Sequence, residues 1–310
     1  MKNRKIGIPR ALLYFSYAHT WKALFRELGY ETIISPETSS GILKDGLKKG
    51  IGDLCLPVKT YLGHIKSLKD NVDYLFIPRY VSVEQDAYMC PKVIGLPDMV
   101  KACFSHLPEI ISPMMNVKID RESAPSLFSK KIAGTLNISR RDAEKAFLKA
   151  SELPMEPHPF MKNGNTAHCR GDRGIRIGII GRNYLAFDRF LVKNLFQTLL
   201  EFGVEPVYVQ PPEEEIREAM TVIPKWVYWS MGREVVTSAH MFFKDCSIDG
   251  VINICSAACG PDSFTGDLIR KRLNTRNKPY MSVSIDEHTS DAGLQTRLEA
   301  FVDMLCRETV

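Results

Sequence analysis

The sequence contains no uninterrupted run of about 18 apolar residues, which excludes a typical transmembrane helix. None of its cysteines forms a Cys-x-x-Cys pair, so a compact zinc finger is excluded. The pattern Gly-x-x-x-x-Gly-Lys-Ser/Thr is absent, and Gly178-x-x-Gly181 is too short for a dinucleotide fingerprint. The chain therefore shows no ATP-binding signature of its own.

The basic residues of this sequence are dispersed. The net charge is only +5, and no concentrated basic stripe occurs that would predict nucleic-acid binding. The apolar run at the amino end is broken by Gly7 and Pro9, so we expect no export signal and a cytoplasmic protein. The hydrophobic fraction of 45% and charged fraction of 25% are ordinary for a soluble globular protein, and no membrane partner is expected.

Strand and helix patterns alternate in both halves of the chain, which predicts an α/β fold with parallel sheets covered on both faces. Each half begins with a strand and a turn, followed by a helix that ends in Glu-x-Gly and then another strand. We infer two flavodoxin-like or Rossmann-like lobes. The predicted divisions are an N-terminal lobe (1–108), a helical connection and linker (109–173) and a C-terminal lobe (174–310).

The apolar spacing also predicts individual elements. The predicted helices of the first half cover 12–28, 39–49 and 57–68, and a charged, largely helical stretch covers 126–153. Residues 154–173 are rich in Pro, Gly, Asn and His and are predicted to form a linker. In the second half, the predicted helices cover 188–202, 227–244, 261–273 and 292–306.

Three cysteines lie in similar local contexts, because each lies in a predicted loop and each precedes a proline within two residues. They are Cys55 in Asp53-Leu54-Cys55-Leu56-Pro57, Cys90 in Cys90-Pro91-Lys92, and Cys259 in Cys259-Gly260-Pro261-Asp262. A helix amino terminus favours the thiolate, which suits a metal ligand or a nucleophile. A single buried cysteine is the ordinary alternative for each one taken alone. Two similar lobes would bring the three to loops facing one interlobe cleft.

Three thiolates without a nearby histidine suit an iron–sulfur cluster better than catalytic zinc. His64 and His288 are available, but a lone histidine is more often a core or surface residue. Cys255, four residues before Cys259, is a candidate fourth ligand. Cys103, Cys246 and Cys306 fit helical or apolar positions, and Cys169 falls in the predicted linker.

Several segments resemble the activase-related branch of the 2-hydroxyacyl-CoA dehydratase and benzoyl-CoA reductase superfamily. The branch includes a domain of unknown function from large acyl-CoA dehydratase activase fusions, and it is similar to the double-cubane cluster proteins. The resemblance extends over essentially the whole chain. The segments that carry it are residues 6–12, 53–59, 77–79, 90–92, 259–263 and 284–289.

The resemblance implies a 4Fe–4S cluster held by Cys55, Cys90 and Cys259, with one iron open to another ligand. An 8Fe–9S double cubane is the other form known in such proteins, but it would call for six cysteines in one chain. A separate ATP-hydrolysing iron–sulfur activator is implied as the electron donor. A paralogous subunit or a second copy of the chain is implied as a further partner, and a small molecule or an acyl-CoA thioester as the substrate.

The sequence leaves the function itself open between classes. The first hypothesis is a low-potential redox enzyme or a reductase or dehydratase subunit, with Arg10, Lys59, Arg79 and Asp286 surrounding the cluster or its substrate. The second is a non-catalytic protein that carries a cluster or binds a small molecule, since fold alone does not fix function. A cysteine-nucleophile enzyme is a third and weaker alternative, because no Cys–His–acid arrangement can be chosen from the sequence.

Overall fold

The computed structural model describes residues 4–50, 52–154, 174–223, 227–274 and 277–308. The chain divides into two compact units, an N-terminal unit within residues 1–156 and a C-terminal unit within residues 157–310. No helix of the described ranges is long and apolar enough to cross a membrane.

The N-terminal unit is built on two parallel sheets. Its strands are β1 (Lys5–Ile8), β2 (Glu31–Ile34), β3 (Tyr74–Phe76), β4 (Arg79–Ser82), β5 (Glu109–Ile111) and β6 (Met114–Asn116). The main sheet has the order β2-β1-β3-β5, and β4 pairs with β6 beside it. Its helices are α1 (Tyr14–Glu27), α2 (Ser40–Lys49), α3 (Leu56–Leu68), α4 (Pro91–Ile94), α5 (Leu96–Cys103), α6 (Ala124–Leu136) and α7 (Arg140–Ser151).

An aromatic cluster forms the centre of this unit's core. The ring centroid of Phe76 on β3 lies 5.3 Å from that of Trp21 and 4.9 Å from that of Phe25, both on α1. On the side of α6 and α7, Phe128 lies 4.9 Å from Phe147 and 6.5 Å from Phe76. Aromatic pairs at these separations add to the burial of apolar area, so they fasten the helices to the sheet.

The C-terminal unit has one four-stranded parallel sheet. Its strands are β7 (Arg176–Gly181), β8 (Glu205–Tyr208), β9 (Gly250–Ser256) and β10 (Tyr280–Ile285). Its helices are α8 (Asn183–Ala186), α9 (Leu195–Glu201), α10 (Glu213–Val222), α11 (Ser230–Lys244), α12 (Gly260–Leu268) and α13 (Asp291–Glu308), with a π-helical stretch at Ile269–Leu273. Phe242 of α11 fills the space above Gly178, where a Cβ atom would lie 2.6 Å from its ring.

The order of this sheet is β8-β7-β9-β10. When the strands of each main sheet are numbered in chain order, both sheets have the same spatial order: second, first, third, fourth. Every pairing among the described strands is parallel. The predicted α/β class with parallel sheets is confirmed. In such sheets a ligand crevice opens at the carboxyl ends of the strands, where the chain order reverses.

The structure differs from the sequence-based elements where left-handed residues interrupt a helix. The helix predicted over 188–202 begins only at Leu195, because Lys193 and Asn194 both adopt φ +54°. Before that point the Asp188 carboxylate accepts the amides of Phe190 and Leu191 in a turn. Local side-chain hydrogen bonds of this kind compete with helix formation.

The stretch predicted to connect the lobes contributes two strands and two helices to the N-terminal unit. β5 joins the main sheet beside β3, and β6 pairs with β4. The predicted helical stretch over 126–153 is divided into α6 and α7 by Asn137 at φ +53°. Most of the predicted linker, residues 155–173, lies outside the described residues, and so does Cys169.

Candidate metal centre

The three predicted ligand cysteines share one local geometry. Cys55, Cys90 and Cys259 each occupy the N-cap of a helix, before α3, α4 and α12 respectively. Each helix has one proline, at its first or second position. The amide N–H that proline lacks has no partner within the helix at these positions, and the fixed φ of proline suits a helix. All three cysteines are half-buried, and none of them forms a disulfide. The predicted placement of Cys55 and Cys259 at loop-to-helix junctions is confirmed, and Cys90 lies at such a junction as well.

Cys55 lies at the tip of an antiparallel pair of helices, α2 and α3. The two backbones touch at two glycines: a Cβ atom on Gly46 would lie 1.9 Å from the carbonyl oxygen of Lys59, and one on Gly63 would lie 2.0 Å from that of Ile42. Only glycine permits such an approach. The close contact fixes the start of α3, and with it the backbone that carries Cys55.

Cys90 follows β4 and is held by backbone and side-chain contacts on both sides. The amide of Met89, just before it, donates to the carbonyl of Val81 at 2.9 Å. Beyond it, the Arg79 guanidinium donates to the carbonyl of Ile94 at 2.9 Å and to the Asp98 carboxylate at 2.6 Å. Arg79, predicted to surround the site, thus ties β4 to the two helices that follow Cys90.

A direct hydrogen bond joins the loops that carry Cys55 and Cys90. The Lys92 ammonium, two residues after Cys90, donates to the carbonyl oxygen of Asp53, two residues before Cys55, at 2.9 Å. The two cysteine loops of the N-terminal unit are therefore neighbours, although 35 residues of chain separate their thiols.

Cys259 follows β9 through a short turn in the C-terminal unit. Its amide donates to the carbonyl of Ser256 at 3.2 Å, and Ala258 between them has φ +57°. Asp262 in the first turn of α12 accepts the Ser256 amide at 3.0 Å and forms a buried ion pair with Arg182 at 2.6 Å. The end of β7, the end of β9 and the start of α12 thus meet at one carboxylate.

The candidate fourth ligand, Cys255, lies within β9 and faces the neighbouring strand. Its thiol donates to the carbonyl oxygen of Val283 at 3.4 Å and lies 3.7 Å from the Ser282 hydroxyl. Burial is the main cause that raises the pKa of this thiol, and the charge of Asp262 adds to it. A thiol that is protonated and hydrogen-bonded within the sheet is a poorer ligand than a thiolate.

The other residues predicted to surround the site take up varied positions. Arg10 donates its amide to the Ser35 hydroxyl at 2.7 Å and its guanidinium to Glu37 at 2.8 Å, near the carboxyl ends of β1 and β2. Lys59, one turn after Cys55 on α3, is 6% exposed. Asp286 accepts the amide of His288 and the hydroxyl of Thr289, both at 2.9 Å.

These contacts in the turn before α13, chiefly the Thr289 hydroxyl, hold the pKa of the Asp286 carboxyl below its usual range. Asp286 therefore organises the turn that precedes α13.

His64 is a core residue in the described structure. Its ring is fully buried, with Nδ1 2.9 Å from the Ser35 hydroxyl and Nε2 3.1 Å from the Thr38 hydroxyl. Removal from water, together with the positive charge of Arg10, lowers the pKa of His64 to about 3. A neutral imidazole satisfies both contacts, because one nitrogen accepts and the other donates. Both ring nitrogens are thereby engaged, which leaves neither for a metal.

Among the described residues, no group of three or more His, Cys, Asp or Glu side chains comes together as a metal-binding set. Cys55 and Cys90 belong to the N-terminal unit, and Cys259 belongs to the C-terminal unit. Each is a cysteine outside a disulfide with partial access to solvent, and thiolates are the ligands that iron–sulfur clusters take.

Two families match successive parts of the chain. One, described as a CoA enzyme activase uncharacterised domain, matches residues 5–210, about two thirds of the sequence. The chain belongs to this CoA enzyme activase domain family. A second family, the D-component of 2-hydroxyglutaryl-CoA dehydratase, matches residues 218–305. No curated protein matches the sequence.

The candidate ligands of this activase-domain chain fall in both matches. Cys55 and Cys90 lie within the activase-domain match, and Cys259 lies within the dehydratase D-component match. The resemblance to the 2-hydroxyacyl-CoA dehydratase superfamily is thereby confirmed.

Two contacts near the candidate site were not predicted from the sequence, the Lys92–Asp53 hydrogen bond and the Arg182–Asp262 pair. No local signal pairs Arg182 with Asp262, but the contact of Asp262 with the Ser256 amide had one, because Asp262 is the third residue of a helix whose N-cap is Cys259. An acidic side chain at that position commonly reaches back to backbone amides before the helix.

Proposed function

We propose that this activase-domain chain is an iron–sulfur protein of the 2-hydroxyacyl-CoA dehydratase type, with Cys55, Cys90 and Cys259 as the cluster ligands. The cluster would be of the 4Fe–4S kind, with one iron not bound by a cysteine of the protein. The chain would act as a low-potential redox protein or as a reductase or dehydratase component, on a small molecule or an acyl-CoA thioester.

The observation that carries the proposal is the repeated N-cap geometry. Three half-buried cysteines outside disulfides precede helices that have a proline at the first or second position. Cys103 and Cys306 lie within or at the end of helices instead. The Lys92 hydrogen bond further supports the proposal, since it holds two of the three cysteine loops together.

The charges around the two N-terminal loops suit an anionic cluster. Lys92 reaches across between the loops, and the guanidinium of Arg79 lies against the helices that follow Cys90. The amino terminus of the 13-residue helix α3 adds a partial positive charge next to Cys55. These groups would stabilise negative charge on thiolates and on the inorganic sulfides they bind.

When bound, a cluster with an iron not held by protein supplies one-electron transfer and Lewis-acid polarisation of a substrate oxygen. The three cysteines would hold it, and the surrounding backbone would fix their positions. We leave Cys255 out of the ligand set, because its thiol donates to Val283 within the sheet. Three cysteines suit one cubane per chain, and a double cubane within one chain would call for six.

The partner we propose is a separate ATP-hydrolysing activator that donates electrons. The absence of the phosphate-binding pattern Gly-x-x-x-x-Gly-Lys-Ser/Thr from these residues agrees with ATP hydrolysis on a separate polypeptide. A paralogous subunit or a second copy of the chain is the further partner that the dehydratase component type suggests. We expect an added activator to reduce the cluster only when ATP is hydrolysed.

Anaerobic reconstitution with ferrous iron and sulfide tests the proposal. We expect a brown protein with about four irons per chain and a paramagnetic signal after reduction with dithionite; about eight irons would indicate a double cubane. The variants Cys55→Ser and Cys90→Ser should lose iron, whereas Cys306→Ser, at an exposed cysteine, should retain it. A colourless, iron-free wild-type protein would contradict the proposal.

A further inference from the structure

A buried ion pair lies beneath the Cys259 loop. Arg182, directly after β7, places its Nε 2.6 Å from Oδ1 of Asp262, and the two side chains are only 2% and 7% exposed. The same guanidinium places Nη1 3.9 Å from the sulfur of Met231 in the first turn of α11. The pair therefore joins three elements at the carboxyl end of the sheet.

The second oxygen of Asp262 acts on the loop itself. Oδ2 accepts the amide of Ser256 at 3.0 Å, at the point where β9 ends. The next amide, from Ala257, donates to Ile285 and continues the contact with β10. Asp262 thus fixes Ser256, the first residue of the turn that leads to Cys259. Cys259, the last residue of that turn, is the N-cap of α12, the helix that carries Asp262.

The segment between these two points is short and conformationally constrained. Ala258 adopts φ +57°, a region that residues with a Cβ atom avoid, and the Cys259 amide closes a turn onto Ser256. A backbone in this conformation persists where its surroundings over-determine it. Here the surroundings include the carboxylate of Asp262 on one side and β10 on the other.

Burying two charges is a poor way to gain stability, because the loss of hydration offsets the attraction between them. Such a pair is better explained by the geometry that it imposes. We propose that Arg182 and Asp262 are positioning residues that fix the turn from Ser256 to Cys259, so that the Cys259 thiol is presented for ligation. The inference rests on the proposed function, in which Cys259 is a cluster ligand.

Three variants of the full-length chain test this inference. Arg182→Met combined with Asp262→Leu replaces the pair by apolar side chains of similar size, an exchange that buried pairs often tolerate. Asp262→Asn retains an acceptor for the Ser256 amide but removes the charge. Asp267→Asn is the matched control, since Asp267 is an exposed acid on the same helix that pairs with Lys271.

The first readout is amide hydrogen exchange in the cluster-free protein. We expect the Ser256 and Cys259 amides to exchange at least about tenfold faster in the double variant, while amides of β10 stay as in the wild type. Asp262→Asn should preserve most of the protection, and Asp267→Asn all of it. Unchanged protection of Ser256 in the double variant would overturn the inference.

The second readout is the reconstituted cluster. The double variant should lose iron, whereas Asp262→Asn should retain it with a paramagnetic spectrum that differs from the wild type, because a charge beside the ligand has been removed. A double variant with wild-type iron content and spectrum would contradict the inference. If the wild-type chain itself binds no iron, the proposed function fails, and the exchange measurement still decides whether the pair fixes the turn.

Discussion

The two units share a strand order but present their cysteines from different parts of that plan. In the C-terminal unit Cys259 comes directly after β9, the third strand, whereas in the N-terminal unit Cys55 lies between the second and third strands. Cys90 lies between β4 and β6, whose small sheet has no counterpart among the described strands of the other unit. The two units therefore share the strand order of their main sheets, but the segments that connect the strands determine where each thiol lies.

The units also differ in what holds the cysteine loops in place. In the N-terminal unit, the uncharged contact of two helix backbones at Gly46 and Gly63 carries Cys55, and an exposed lysine links its loop to that of Cys90. In the C-terminal unit, a buried pair of opposite charges secures Cys259. Backbone packing and electrostatics therefore do the same task in the two halves of one chain.

The largest effect should come from filling the helix contact of the N-terminal unit. Gly46→Ala places a methyl group against the Lys59 carbonyl, so we expect a loss of about 3 kcal/mol in the free energy of unfolding. Gly134→Ala on α6 is the control, because nothing lies within 4 Å of its added Cβ and alanine favours a helix. Urea unfolding of both variants measures the difference. Equal stability of the two would show that the helices do not depend on this contact.

The second prediction concerns the pH dependence of stability that arises from His64, a buried neutral side chain of the N-terminal unit. Its folded pKa of about 3 lies below the usual value near 6.5, so between these values only the unfolded chain binds the proton. Stability should therefore fall as the pH drops below about 6.5, by about 2 kcal/mol at pH 5.

His64→Gln should remove this part of the pH dependence, whereas His106→Gln, at an exposed histidine, should leave it in place. Unfolding curves at pH 7.5 and pH 5 provide the measurement. An unchanged pH slope in His64→Gln would mean that the imidazole is protonated as readily in the folded chain as in the unfolded one.

A smaller effect is expected from the strained residue in the C-terminal unit. Ala258→Gly removes the Cβ atom that disfavours φ +57°, and the gain should exceed the added entropy of the unfolded chain by about 0.5 kcal/mol. Ala257→Gly, next to it and without a positive φ, should destabilise the protein by a similar amount. Thermal unfolding distinguishes them, and a loss of stability in both would argue against strain at Ala258.

The smallest change in stability should follow removal of the exposed link in the N-terminal unit. Lys92→Met eliminates the hydrogen bond to Asp53 and should alter the free energy of unfolding by less than about 1 kcal/mol. Amides of residues 52–55 should nevertheless exchange faster, because the loop loses its tie to the Cys90 segment. Lys101→Met, at an exposed lysine of α5, is the control. Equal exchange in both variants would show that the link does not restrain the loop.

The local features of the site were predictable from the sequence, because they depend on neighbours along the chain. A proline one or two residues after each cysteine indicates a helix start, and the structure has one at Cys55, Cys90 and Cys259. The alternation of strands and helices likewise predicted the parallel sheets. Both inferences use spacing over a few residues, where propensity and hydrophobic pattern are informative.

The features that were missed depend on contacts between distant residues or on single backbone conformations. Arg182 and Asp262 are 80 residues apart, and no local pattern pairs them. The left-handed pair Lys193 and Asn194 interrupts a segment whose apolar spacing is helical. The strands β4 and β6 have four and three residues, too few for alternation to be recognised.

Two cysteines four residues apart give the most direct test of the proposal that Cys259, and not Cys255, is a cluster ligand. Iron and sulfide should be measured in Cys255→Ser and Cys259→Ser after identical anaerobic reconstitution. We expect Cys255→Ser to retain about four irons per chain with the wild-type paramagnetic signal, and Cys259→Ser to lose both. Full iron content and an unchanged signal in Cys259→Ser would contradict this proposal.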